Sequence, residues 1–106
     1  MPVTESPLHG RTAVVTGAAR GLGAAMARDL AGRGARVALL GREERTLARV
    51  RDSLPAGVSE CWEVDVTDDR GMARAAADIR ARLGPPSVVV ANAGVAEEAR
   101  SPSPIP

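Results

Sequence analysis

Four short apolar runs, separated by stretches whose apolar residues recur at helical spacing, constrain this chain more than any other feature of its sequence. Arg11 to Thr16 is apolar and β-branched and is cut off at Gly17, the pattern of a buried strand. From Gly21 the period changes: Leu22, Ala25, Met26 and Leu30 fall on one helical stripe, which stops at Gly32 and Gly34. Ala35 to Leu40 is a second strand. Acidic Glu43 and Glu44 suit the start of a second helix, with Leu47, Val50 and Leu54 inward and an end before Pro55. Ser59 to Val64 reads as a third strand, interrupted by Glu60 and Glu63 but with Trp62 and Val64 alternating as in a half-buried strand. Thr67 or Asp68 can cap a third helix whose inward stripe is Met72, Ala76, Ile79 and Leu83, closed by Gly84 and Pro85. Ser87 to Ala91, with three valines, is the fourth strand. Such alternation predicts parallel βαβ units with right-handed crossovers, and hence an α/β fold.

Composition narrows the function classes. At 106 residues the chain has room for one domain, and 44% hydrophobic with 25% charged residues is the balance of an ordinary globular protein. A net charge of +1, with cations scattered among acids, offers no basic field for nucleic acid. Nothing in the first ten residues resembles a signal peptide, no apolar run suits a membrane, and the single Cys61 excludes an internal disulfide, so a cytoplasmic setting is expected. His9 reads as a tail residue and Cys61 as a small core residue; no metal-ligand spacing occurs.

Between the first strand and first helix lies Thr16-Gly17-Ala18-Ala19-Arg20-Gly21-Leu22-Gly23, with glycines at G-x-x-x-G-x-G spacing. Gly17 would allow the sharp turn, Gly21 the approach of a pyrophosphate, and Gly23 close packing of helix on strand. The free N–H groups and positive end of the helix suit an anion. In dinucleotide-binding folds an acid about 20 residues beyond the glycines binds the ribose 2′-OH of NAD, whereas Arg accommodates the 2′-phosphate of NADP. Here Gly41-Arg42 holds that place: Gly41 leaves room and Arg42 offers a forked pair of charged donors. The alternative is an ordinary surface pair of Arg42 with Glu43 or Glu44, with Arg20 in solvent.

Thr16 to Gly23 resembles the nucleotide-binding turn of the short-chain dehydrogenase/reductase family. Asp65-Val66, ending the third strand, matches the family's adenine-contacting site, the alternative being that Asp65 is a helix N-cap. Ala91-Asn92-Ala93-Gly94, ending the fourth, resembles its N-N-A-G element with Ala in place of the first Asn. The resemblance implies that Asn92 steadies the centre of the sheet near the nicotinamide ribose, with Ala93 and Gly94 beside it, and that Arg20 is a second cation for the 2′-phosphate; read without it, Asn92 is a turn former. The implied architecture is a three-layer, Rossmann-type half-domain over residues 1–95, with a partial parallel sheet of order 3-2-1-4 and three helices, followed by an unstructured Pro/Ser-rich tail over 96–106. The expected cofactor set is Thr16, Gly17, Arg20, Gly21, Leu22, Gly23, Arg42, Asp65, Val66, Asn92, Ala93 and Gly94, with NADP(H) preferred over NAD(H).

The family's chemistry uses a Ser and a Tyr-x-x-x-Lys pair, the Tyr acting as general acid/base with its pKa lowered by the Lys. This sequence has no Tyr, and all 14 of its basic residues are Arg. No catalytic residue is therefore expected, and the chain reads as the cofactor-binding part of an NADP(H)-dependent oxidoreductase acting on alcohols or carbonyls, truncated and inactive alone. A free-standing dinucleotide-binding or regulatory module, or an α/β domain binding some other anion, are the alternatives. The expected partner is a dinucleotide, with neither nucleic acid nor membrane; full-length members of the family are expected to be homo-oligomers.

Overall fold

The computed structural model describes residues 7–55 and 58–92. Its elements alternate as the sequence predicts: β1 (Thr12–Thr16), α1 (Gly21–Gly32), β2 (Arg36–Gly41), α2 (Glu44–Asp52), β3 (Ser59–Glu63), α3 (Asp69–Arg82) and β4 (Pro86–Ala91). The strands form one sheet in the order β3-β2-β1-β4, and every pairing is parallel.

Side chains alternate across a strand, so the central strands feed two cores. Ala13 and Val15 of β1 and Val37 and Leu39 of β2 pack with Ala24, Ala27 and Ala31 of α1, Leu47 and Val50 of α2, and Leu54. On the opposite face Val14, Ala38 and Leu40 meet Ile79 and Leu83, with Trp62, Val64 and Met72 at the margin. Burial on both faces is why β1 and β2 are almost continuously apolar. Two helices thus cover one face and α3 the other, as the order 3-2-1-4 requires.

In α1 the apolar stripe is not the buried face of the helix. Its buried residues are Gly23, Ala24, Ala27 and Ala31, whereas Leu22 is 61% exposed, Ala25 is exposed, and Met26 and Leu30 are half-buried. Small residues let the helix lie close on the sheet. The larger Met26 and Leu30 are displaced toward β4, where with Ala25, Asp29 and Val90 they line an apolar pocket of about 210 Å³. In α3 the buried line is Gly71, Ala75 and Ile79, followed by buried Leu83. Ala75 thus takes the place expected of Ala76, and Met72 is half-buried. The helix starts as read, with Asp68 as N-cap accepting a hydrogen bond from the Gly71 N–H at 3.1 Å. Its far end is tied to the sheet: the Thr12 hydroxyl and an Arg36 guanidinium N–H both donate to the Leu83 carbonyl at 2.7 Å.

Candidate functional site

A parallel sheet delivers the ends of all its strands to one edge. Thr16 lies opposite Leu40 on one side and Ala91 on the other, and Gly41 lies opposite Glu63. The residues that leave this carboxyl edge therefore stand side by side in the order Asp65, Arg42, Gly17, Asn92. With strands about 4.8 Å apart, the row spans roughly 14 Å. Ligands of open α/β sheets bind along such an edge.

The glycine turn occupies its centre. Gly17 and Gly21 have φ of 62° and 58°, left-handed conformations that favour glycine. A β-carbon on Gly21 would meet nothing within 4 Å, so that glycine is required by backbone conformation and leaves open space before the helix. Gly23 is the reverse case: a β-carbon there would collide with the Gly17 carbonyl oxygen and come within 2.8 Å of Asn92 Nδ2. Arg20 is the extended residue preceding α1; no side chain caps that helix and no acid lies in its first turn. The cradle therefore fits an anion, with nothing of its own to neutralise the helix end.

Asn92 joins the site from β4. Its Nδ2 donates to the Gly17 carbonyl at 3.3 Å, and the Thr16 hydroxyl donates to the Val90 carbonyl at 3.3 Å. Asn92 is thus more than a turn former, since it pins the glycine turn to the neighbouring strand. Leu22 projects outward at the helix start. Ala93 and Gly94 lie outside the described residues.

Arg42 and Asp65, which follow β2 and β3, lie to one side of the glycine turn that contains Arg20. Arg20 is exposed and forms no ion pair among the described residues. Arg42 does form one, but neither Glu43 nor Glu44 is its partner: its Nη2 approaches Asp65 Oδ2 at 3.7 Å, with the Arg42 side chain 76% exposed. Asp65 is not the helix cap, a role taken by Asp68. Its Oδ1 accepts from the Thr67 backbone N–H at 2.9 Å and from the Thr67 hydroxyl at 2.7 Å. These two bonds, with Arg42 adding to them, hold the Asp65 carboxyl below its ordinary value. Thr67 was not among the candidate residues, although Asp-x-Thr is the signature of such a side-chain turn. Val66 is 39% exposed at the same edge.

Two further features frame the site. The space a β-carbon would take at Gly41 is met by Leu47 Cδ2 at 3.0 Å, so the room left by that glycine is shared with α2 packing. Beside β3 and α3 an open groove of about 870 Å³ includes Arg42, Trp62, Asp65 and Arg74 in its lining. Among the described residues, no group of three or more His, Cys, Asp or Glu side chains is placed to hold a metal, and no helix is long and apolar enough to cross a membrane.

The chain matches the family model for short chain dehydrogenases over residues 11–104. It is 43% identical over 100 residues to a glycine betaine reductase of Emericella nidulans, covering 89% of this chain and 8% of that protein. With the galactitol 2-dehydrogenase (L-tagatose-forming) of Cereibacter sphaeroides it shares 42% identity over 89 residues, covering 84% of this chain and 35% of the relative. The chain thus spans only a minor part of the length of these relatives. Among solved structures, a metagenomic short-chain oxidoreductase in complex with NADP superposes with a TM-score of 0.71 at 40% identity, over 77% of this chain and 38% of the other. A short-chain dehydrogenase/reductase from Brucella melitensis gives a TM-score of 0.75 at 23% identity, a likeness of fold. A glycine turn held against β4, a sheet of order β3-β2-β1-β4 and this family match together establish that the chain belongs to the short-chain dehydrogenase family.

Proposed function

We propose that residues 1–95 are the NADP(H)-binding half of a short-chain dehydrogenase/reductase that interconverts an alcohol and a carbonyl. Gly17, Gly21 and Gly23, with Thr16 and Leu22 around them, receive the pyrophosphate at the start of α1. Asp65 and Val66 flank the adenine, and Asn92, with Ala93 and Gly94, stands by the nicotinamide ribose. Arg42 and Arg20 meet the 2′-phosphate. The observation that carries the cofactor preference is the placement of Arg42, which leaves β2 at the carboxyl edge next to the glycine turn, where an acid would repel a phosphate. The metagenomic relative in complex with NADP supports the same reading.

Bound NADPH supplies a hydride for a carbonyl carbon. The residues of this chain bind and orient the dinucleotide. Without Tyr or Lys in the 106 residues, the proton transfer of the family's Tyr–Lys pair is not performed by them.

The test is titration of the chain with NADPH and NADH, followed by nucleotide fluorescence. Both should saturate, NADPH at the lower concentration, and Arg42→Ala should weaken NADPH about ten-fold more than NADH, the scale of a lost charge-assisted hydrogen bond. Equal losses for the two would remove Arg42 from the 2′-phosphate.

A further inference from the structure

We propose that Asp65 sets the strength of the preference for a 2′-phosphorylated cofactor, acting as a counter-ion from which the phosphate must take Arg42. This rests on the assignment of Arg42 to that phosphate.

The two oxygens of Asp65 have divided tasks. Oδ1 is anchored by the backbone N–H and hydroxyl of Thr67, so the carboxylate is fixed by the turn after β3. Oδ2 faces Arg42 Nη2 at 3.7 Å, longer than a hydrogen bond. The contact is therefore a loose ion pair between a fixed acid and an exposed, flexible base. Charge around Arg42 favours the acids: the groove it lines contains Glu63, Asp65, Asp68 and Asp78 against Arg42 and Arg74. Arg20, across the glycine turn, has no ion pair among the described residues. Of the two cations assigned to the phosphate, one is unengaged and the other is already held. An incoming phosphate gains the attraction of Arg42 less what Arg42 gives up with Asp65, whereas a cofactor carrying only a 2′-hydroxyl draws on Arg42 little. Asp65 is a positioning residue in this scheme, and it acts on selectivity.

The readout is the ratio of the NADH to the NADPH dissociation constant, because any loss of adenine contact moves both constants together and leaves their ratio alone. The chain, Asp65→Asn, Arg42→Ala and the double variant are titrated at low ionic strength, with circular dichroism to confirm their folding. Asn keeps an oxygen for Thr67 and removes the charge. Asp65→Asn should raise the ratio about three-fold, the scale of an exposed ion pair, and the gain should disappear in the Arg42→Ala background. An unchanged or lowered ratio in Asp65→Asn overturns the proposal, as does a gain of the same size without Arg42. If Arg42→Ala itself leaves the ratio unaltered, the 2′-phosphate assignment fails and the proposal with it; a selective loss in Arg42→Ala beside an inert Asp65→Asn defeats only the proposal.

Discussion

At the scale of single residues, Gly23 carries the strictest requirement in the site. Its missing β-carbon makes room for the Gly17 carbonyl and the Asn92 side chain, which are hydrogen-bonded to each other at 3.3 Å. Gly23→Ala should therefore push α1 away from β1 and break that bond, lowering stability by about 1 to 3 kcal/mol, as overpacking does. Urea denaturation would show the loss, and NADPH affinity should fall with it. Gly17 and Gly21 are legible from sequence because the positive φ they permit is a property of local backbone, and Gly23 through its spacing from them. Arg42 and Asp65 are not legible as a pair. A helix and a strand separate them in the chain, and only the β2–β3 register sets them side by side. The expected partners Glu43 and Glu44 are adjacent in sequence, but adjacency does not aim a side chain.

Among the elements, strands and helix ends were more readable than helix faces. The four apolar runs stand where they were expected, and Asp68, one of the proposed caps, accepts from the Gly71 N–H. Asp68→Ala should cost about 1 kcal/mol, seen as a lower urea midpoint with an unchanged slope. On α1, side-chain size is no guide to burial. Leu22, Met26 and Leu30 are its large apolar residues, yet Ala24, Ala27 and Ala31 face the sheet, since a helix held close to a strand at Gly23 leaves depth only for methyl groups. In α2 the large residues Leu47 and Val50 are buried as their size suggests.

For the whole molecule, the two faces of the sheet are unequally covered. Two helices close one side. On the other, among the described residues, α3 packs alone and Val89 of β4 is 67% exposed. A fold covered in this way should respond strongly to a ligand that bridges its strands. At about 100 times its dissociation constant, a nucleotide that binds only the folded state adds about 2.7 kcal/mol. Thermal unfolding should accordingly move to higher temperature with NADPH, and less with NADH at the same concentration; Arg42→Ala should narrow that difference. The α/β class and the parallel sheet were readable at this scale, because alternation and handedness leave few arrangements open; the strand order was implied by the family resemblance.

The tie between Asn92 and Gly17 also has a consequence in time. It joins residues 75 positions apart, and the neighbouring bond from Thr16 to Val90 spans 74. During synthesis the glycine turn emerges first, together with the strand and helix that flank it. Its fastening arrives only when β4 docks beside β1, at the end of three successive βαβ crossovers. A nascent chain thus exposes the nucleotide cradle early and completes it late, and the site becomes rigid only once the four-stranded sheet is assembled.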